Sequence, residues 1–164
     1  MSAIRVVWGS ATAPTAMSAY DAALAAANVH NYNLITVSSV IPRGPPVERA
    51  GTAPDLGPTG NSLTVVQSRA TVEPGSEQSA VAGVGWVRSA SGRGLFYEAS
   101  GTDRDAVREA IREGLDAGMA LRDWDFDDEM TIQLEETAPG PDAYSTAIVL
   151  AAYGQSEPLV APDM

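Results

Sequence analysis

Runs of β-branched and apolar residues predict that most of this chain forms strands. Such runs, with partial alternation of apolar and polar positions, are typical of strands that bury at least one face. They occur at residues 4–8, 32–38, 62–72, 79–88, 95–100, 129–136 and 144–153. Glycine, proline, asparagine and serine separate most of these segments, which indicates short connections between neighbouring strands.

Two segments have helical periodicity instead. Residues 16–27 are rich in alanine, and Thr15 is the expected N-cap. The apolar stripe expected to face the core consists of Met17, Tyr20, Leu24 and Ala27. Asp21 falls on or beside this stripe, and its carboxylate would be costly to bury without a partner.

The second helix begins near Thr102, which we expect to form a capping box with Asp105. Its apolar stripe consists of Val107, Ile111, Leu115 and Met119. This order of helices and strands predicts an α+β fold, with two helices covering an antiparallel or mixed sheet.

Two regions lack a clear pattern. Residues 45–62 are rich in proline, glycine and threonine, and predict a long exposed loop. The tail from Gln155 onward contains two prolines, and we expect it to fray.

Length and composition fit one globular domain. The chain has 164 residues, of which 45% are hydrophobic, and this is enough to bury a core. No apolar run reaches membrane-spanning length, and residues 1–5 do not begin a signal peptide. We therefore expect a cytoplasmic protein that does not bind membranes.

Charge narrows the possible partners. The net charge is −11, and all ten basic residues are arginine. Nucleic-acid binding requires a basic surface, so this composition argues against it. An acidic chain without lysine indicates adaptation to high salt, which screens repulsion between like charges.

The absent residue types exclude several chemistries. Without lysine the chain cannot form a Schiff base with pyridoxal phosphate, and without cysteine it has no thiol nucleophile or thiolate metal site. His30 is the single histidine, so one chain cannot build a multi-histidine metal site. We expect no metal, and we expect His30 to lie in an exposed turn.

The Ser38–Ser39 pair closes the strand predicted at residues 32–38. Pro42 follows soon after and prevents the strand from continuing. A serine held in strain at a strand end can attack the carbonyl of its own preceding peptide bond. The plain alternative is that two small polar residues simply end the strand.

The residues around this pair resemble the pyruvoyl-dependent arginine decarboxylases. The resemblance rests on Gly9-Ser10, Tyr20-Asp21-x-Ala23-Leu24, Asn33-Leu34-Ile35-Thr36-Val37-Ser38-Ser39-Val40-Ile41-Pro42 and Gly94-Leu95-Phe96-Tyr97-Glu98. It covers most of the chain and implies a four-layer α-β-β-α sandwich assembled into trimers, sometimes paired into hexamers.

The resemblance also implies a covalent cofactor. Self-cleavage between Ser38 and Ser39 would give a β chain of residues 1–38 and an α chain of residues 39–164. Ser39 would become a pyruvoyl group, which replaces pyridoxal phosphate as the electron sink. The implied reaction converts L-arginine to agmatine and carbon dioxide.

Four further residues receive roles from the resemblance. Asp21 and Leu24 would bind the substrate, and the Asp21 carboxylate matches a guanidinium in a bidentate pair. Glu98, which we expect to be buried beside Phe96, would be the proton donor. Asn33 would act in processing and catalysis, although about 16 Å of extended strand separates it from Ser38.

Three alternatives remain open from the sequence. The protein could be a pyruvoyl decarboxylase of another amino acid. It could be a non-catalytic oligomeric module of the same α+β fold. It could also be a hydrolase that uses Ser39 directly with His30, although the chain has no G-x-S-x-G motif.

Overall fold

Two β-sheets and two helices make up residues 2–161, the part of the chain that this computed structural model describes. In chain order the elements are β1 (Ile4–Ala13), α1 (Ala16–Ala26), β2 (Asn33–Thr36), β3 (Val40–Ile41), β4 (Val47–Gly51), β5 (Ser62–Val72), β6 (Ala80–Arg88), β7 (Gly94–Gly101), α2 (Arg104–Ala120), β8 (Thr131–Thr137) and β9 (Tyr144–Tyr153).

The strands divide between a five-stranded and a four-stranded sheet. The five-stranded sheet has the order β2-β5-β9-β1-β4, with parallel pairs at both edges and antiparallel pairs in the centre. The four-stranded sheet has the order β3-β7-β6-β8 and is antiparallel throughout.

The core has three layers of apolar side chains. Helix α1 packs on the outer face of the five-stranded sheet, where Ala23, Leu63 and Ile148 are buried. The inner faces of the two sheets meet around residues such as Val66 and Val149. A third cluster lies between α2 and the four-stranded sheet. The predicted α+β class and four-layer α-β-β-α order are confirmed.

Strand β6 shows why the layers form. Its even-numbered residues, including Val84 and Trp86, face the other sheet, while Val81 and Val87 face helix α2. Both faces of this strand are therefore apolar and buried. Gly83 and Gly85 also face α2, and a Cβ at Gly83 would lie 2.5 Å from Leu134 Cδ2. The same Cβ would lie 2.8 Å from Ile111 Cδ1, so the absence of a side chain lets α2 lie close to β6.

The prediction that residues 45–62 form an exposed loop is wrong. This segment contains strand β4, which pairs in parallel with the edge of β1. Ala53 and Leu56, just beyond it, are buried under the five-stranded sheet. An edge strand needs few apolar residues because one of its backbone edges and most of one face are exposed to solvent. Its composition therefore resembles that of a loop.

Strand β1 is longer than predicted because a distant strand pairs with it. It continues from Trp8 to Ala13 because β9 pairs with it along its whole length, from Ile4 opposite Tyr153 to Ala13 opposite Tyr144. Gly9 lies in this extension, and a Cβ there would come within 2.6 Å of the Ala23 carbonyl oxygen. Because Gly9 has no side chain, helix α1 can lie directly on the sheet.

The helix ends and faces are partly as predicted. Thr15 is the N-cap of α1 and forms a capping box with Ser18. Met17 does not join the buried stripe, since 73% of its surface is exposed and the small Ala19 is buried instead. Helix α2 is capped by Asp103 rather than Thr102, because the Asp103 carboxylate accepts two backbone N–H bonds of the first turn at 2.9 and 3.3 Å.

Over residues 2–161, neither helix has the length and apolar character that a membrane crossing requires.

The start of the tail is held in place, against the prediction that it frays from Gln155. Ser156 N–H donates to the Leu56 carbonyl at 2.9 Å, and Glu157 forms a bridge with Ser62. The same prediction for residues 162–164 falls outside the described residues.

The packing of α2 on β6 yields a stability prediction. Gly85→Ala places a Cβ against Ile111 Cγ2 and should lower the free energy of unfolding by about 1–3 kcal/mol through overpacking. Gly140→Ala is the matched control, since its new Cβ would lie no closer than 3.4 Å to another atom. Denaturant unfolding in high salt measures both. Equal stability of the two variants would contradict the packing described here.

Candidate active site

The chain passes from one sheet to the other between Thr36 and Val40. Val37 N–H still bonds the Val65 carbonyl of the five-stranded sheet, at 3.0 Å. The Ser39 carbonyl already accepts from Phe96 N–H of the four-stranded sheet, at 2.8 Å. The strand predicted at residues 32–38 therefore ends at Thr36, before the serine pair.

Ser39 has a left-handed backbone conformation, with φ of 54°. For a residue with a Cβ this conformation costs about 1–2 kcal/mol, so it persists only where neighbouring contacts impose it. Here the bond from Phe96 N–H and the pairing of Val40 with Leu95 fix the backbone on the C-terminal side of Ser39. Backbone strain is thus located at the second serine of the pair.

The Ser39 hydroxyl donates a hydrogen bond to Glu98 Oε2 at 2.9 Å. Glu98 lies two residues beyond Phe96 on β7. Phe96 is buried, but Glu98 is exposed in the single chain, so the expectation that Glu98 is buried is wrong. A carboxylate at hydrogen-bond distance from a hydroxyl is placed to take up or return a proton.

Tyr153, at the end of β9, also contacts this segment. Its hydroxyl donates to the Val40 carbonyl at 2.9 Å, and its ring packs edge-on against Phe96 with centroids 6.0 Å apart. Burial, and to a smaller extent the negative charge of Glu98, raises the pKa of Tyr153 to about 12. The phenol therefore keeps its proton and stays a donor at ordinary pH.

A cavity of about 280 Å³ lies beside the serine pair. Residues 38–40, strand β7 and one face of α2 form its walls, and Tyr97 and Leu121 are among the lining side chains. Tyr97 can reach this position because Gly114 has no Cβ, whose place lies directly against the tyrosine ring. The mostly apolar walls of this cavity adjoin the Ser39 side chain.

A second and larger cavity, of about 690 Å³, lies against helix α1 and strand β2. Its lining includes Asp21, Leu24 and Asn33, three of the residues selected from the sequence. Asp21 is exposed, whereas Leu24 is buried. His30 also lines this cavity and is exposed, as expected. A single carboxylate with an apolar neighbour suits a ligand that joins a cation to an aliphatic chain.

Asn33 does not approach the serine pair. Its side-chain amide donates to the Gly60 carbonyl at 2.9 Å, and Asn33 lines the second cavity. The two cavities share no lining residue. Within one chain, the structure brings Ser39 and Glu98 together, and separately groups Asp21, Leu24 and Asn33.

Several residues at these sites were not identified from the sequence. Tyr153 ends an apolar strand and gave no sign of contacting Val40. Gln67 lines the second cavity and accepts a hydrogen bond from the Tyr20 hydroxyl at 2.7 Å. The available signal was the polar Gln67 directly after the apolar pair Val65-Val66 of β5. Among residues 2–161, no three His, Cys, Asp or Glu side chains form a group able to hold a metal ion.

Comparison with known proteins gives one consistent result. A family model described as pyruvoyl-dependent arginine decarboxylase matches residues 3–158. The chain is 50% identical to a pyruvoyl-dependent arginine decarboxylase of Halobacterium salinarum, over 97% of this chain and 98% of that protein. A protein with the same description from Pyrococcus abyssi is 33% identical over 85% of this chain and 88% of its own length. The Halobacterium relative agrees with the halophilic interpretation of the composition.

The strain at Ser39 can be measured without any hydroxyl chemistry. Ser39→Ala and Ser39→Gly both lack the hydroxyl, but only glycine adopts φ of 54° without a Cβ penalty. We expect the glycine variant to be more stable than the alanine variant by about 1 kcal/mol. Thermal melting in the same salt compares them. An alanine variant as stable as the glycine variant would show that residue 39 is not strained.

Proposed function

The chain belongs to the pyruvoyl-dependent arginine decarboxylase family, and from this premise we propose that it decarboxylates L-arginine to agmatine and carbon dioxide after cutting itself between Ser38 and Ser39. The observation that carries the proposal is the contact between the hydroxyl of the strained Ser39 and the Glu98 carboxylate. It supplies a nucleophile, a proton acceptor and a destabilised backbone at one point of the chain.

Self-cleavage begins with attack of Ser39 Oγ on the carbonyl carbon of Ser38. Glu98 accepts the hydroxyl proton, the Ser38–Ser39 peptide bond breaks, and Ser38 becomes esterified to Ser39 Oγ, leaving a free amine on residue 39. Loss of the Cα proton of residue 39 then breaks its Cβ–Oγ bond and releases Ser38 as a carboxylate. Water replaces the nitrogen of the resulting dehydroalanine, ammonia leaves, and a pyruvoyl group remains at position 39.

The structure around Ser39 is suited to forming and holding this group. Cleavage removes the left-handed constraint, so the strain favours the cut form. The products are a β chain of residues 1–38 and an α chain of residues 39–164. Phe96 N–H, which bonds the Ser39 carbonyl at 2.8 Å, stays in place to bond the same carbonyl after the cut.

In turnover, the pyruvoyl group supplies a carbonyl conjugated to an amide, which takes up the electrons left when carbon dioxide departs. Glu98 holds the proton that is returned to the substrate α-carbon. The same carboxylate thus serves as base in maturation and as acid in turnover. The 280 Å³ cavity beside Ser39 provides room next to the reacting atoms.

Recognition of arginine is assigned to the second cavity. The Asp21 carboxylate accepts the guanidinium in a bidentate pair, and Leu24 contacts the aliphatic part of the side chain. Asn33 lines the same cavity and is assigned to substrate positioning there. A volume of about 690 Å³ is sufficient for an amino acid of this size.

The two cavities must meet for this reaction, and we infer that they meet between subunits of a homotrimer or a hexamer. One chain keeps Asp21 and Ser39 in cavities without a common lining residue, so a neighbouring copy is needed to complete the site. The exposed apolar side chains of Ile35, Val37 and Val40 surround the crossing segment and support a subunit contact there. A cytoplasmic location stays a prediction from the sequence.

The other functions considered from the sequence have less support. Direct hydrolysis by Ser39 would require His30, but His30 lines the Asp21 cavity rather than the cavity of Ser39. A non-catalytic module would have no need for a strained serine bonded to a carboxylate. The choice of arginine over another amino acid is tested by substitution of Asp21.

Self-cleavage is tested by replacing each serine of the pair with alanine in separate variants. Ser39→Ala removes the nucleophile, so the chain should remain uncut and release no carbon dioxide from arginine. Ser38→Ala keeps the Ser39 hydroxyl and should still be cut at the same bond. Intact mass of the denatured proteins, purified in high salt, measures cleavage. A cut Ser39→Ala chain would disprove the proposed attack by this hydroxyl.

Substrate recognition is tested by Asp21→Asn. Loss of the carboxylate should raise the KM for arginine by about 10- to 100-fold, since a charged hydrogen-bonded pair is lost, with the rate of self-cleavage unchanged. Asp116→Asn, exposed on α2 in the opposite outer layer, makes the same charge change and is the control. Equal loss of cleavage and of arginine binding in Asp21→Asn would make Asp21 a structural residue.

A further inference from the structure

Cleavage at Ser38–Ser39 would leave residue 39 at the end of a chain. Chain ends fray unless hydrogen bonds or packing hold them. The strand that follows, β3, contains only Val40 and Ile41, which pair with Leu95 and Gly94. Pro42 then interrupts any further pairing. Two residues of antiparallel ladder are a weak anchor for a reacting group, so additional contacts at residues 39–41 have unusual importance.

Tyr153 supplies such a contact from the opposite sheet. It is the last residue of β9 in the five-stranded sheet, whereas Val40 belongs to the four-stranded sheet. Its hydroxyl donates to the Val40 carbonyl at 2.9 Å. This bond therefore attaches the start of β3 to a second sheet, which does not depend on the β3–β7 ladder.

The Tyr153 side chain is itself well fixed. Its ring is half-buried in the cluster between the sheets and lies edge-on to Phe96, which in turn packs edge-on against Trp86. Aromatic pairs in these orientations favour one geometry. Because the ring is held in place, the Tyr153 hydroxyl has a fixed position. Its hydrogen bond to the Val40 carbonyl therefore restrains the end of the chain at residue 39.

Two donors act on consecutive carbonyls at this point. Phe96 N–H bonds the carbonyl of Ser39, and the Tyr153 hydroxyl bonds the carbonyl of Val40. Because peptide units are planar, fixing two successive carbonyl oxygens fixes the torsions of Val40 between them. The orientation of residue 39 relative to Glu98 follows from those torsions.

We propose that Tyr153 is a positioning residue that keeps residue 39 aligned with Glu98 after the bond to Ser38 has been cut. This inference rests on the self-cleavage proposed above. Tyr153 bonds the backbone one residue away from the reacting group and acts through Val40. Its hydroxyl is required as a hydrogen-bond donor, and the packed ring fixes the position of that hydroxyl.

The proposal separates turnover from maturation. Before cleavage, residue 39 is tethered on both sides, and the hydroxyl of Tyr153 is one of several restraints. After cleavage, residue 39 is no longer bonded to residue 38. Its position relative to Glu98 then depends more strongly on the hydrogen bond from Tyr153. Misplacement of a reacting atom by about 1 Å can slow a reaction about 100-fold. Loss of the hydroxyl should therefore affect kcat more than self-cleavage.

The experiment compares Tyr153→Phe with Tyr144→Phe in the cut, active protein. Both variants remove one hydroxyl from strand β9, but Tyr144 lies at its other end, opposite Ala13. For Tyr153→Phe we expect kcat to fall about tenfold, with KM for arginine and the cleavage rate each changed less than about threefold. Tyr144→Phe should match the wild type in all three quantities.

Amide hydrogen exchange of the cut proteins gives a readout that does not depend on activity. The peptide containing Val40 and Ile41 should exchange faster in Tyr153→Phe than in the wild type, while peptides from β5 stay unchanged. A wild-type kcat, or unchanged exchange at Val40 and Ile41, would overturn the positioning role. Equal losses of kcat, cleavage rate and melting temperature would assign Tyr153 to general stability instead. An uncut wild-type chain would reject the proposed function before Tyr153 is tested.

Discussion

The passage of residues 37–39 between the two sheets is the constraint on which the proposed chemistry depends. Val37 is bonded to one sheet and the Ser39 carbonyl to the other, so the connection between them has little freedom. The backbone accommodates this short crossing by placing Ser39 at positive φ. The same crossing directs the Ser39 hydroxyl to Glu98. Strain, nucleophile and proton acceptor therefore have one structural origin.

The four-layer packing makes this arrangement possible. A left-handed serine costs about 1–2 kcal/mol, which is small compared with the burial of three apolar clusters. Strand β6 buries both faces, and Gly83 and Gly85 bring α2 close against it. The sheets and helices are thus held firmly enough that the crossing segment, rather than the core, takes up the strain.

Within residues 2–161 the Asp21 and Ser39 cavities are separate, and in the proposed reaction each of them is a half-site. The Asp21 cavity belongs to α1 and the five-stranded sheet, while the Ser39 cavity belongs to β7 and α2. Exposed apolar residues near the crossing, such as Ile35 and Val40, have no partner layer within residues 2–161. Assembly of copies would bury these residues and join the half-sites. The net charge of −11 makes such assembly easier when salt screens repulsion between the copies.

Local pattern was sufficient where a segment's own residues decide its structure. Strands β5 and β9 and the buried face of α2 followed from continuous or periodic apolar residues. The serine pair, Asp21 and Glu98 were selected because short motifs around them resemble one family. Absent residue types also excluded pyridoxal phosphate and thiol chemistry without any structural information.

Tertiary structure decided every feature that depends on a distant partner. Strand β4 forms because β1 offers it an edge, and Met17 is exposed because small alanines let α1 lie close to the sheet. Ser39 meets Glu98 across 59 positions of sequence, and Val40 meets Tyr153 across 113. Periodicity describes only the few residues around each position. The sequence by itself therefore determined the α+β class, and its resemblance to one family supplied the four layers and the candidate chemistry. Only the folded chain decided where the strain lies and which side chains restrain it.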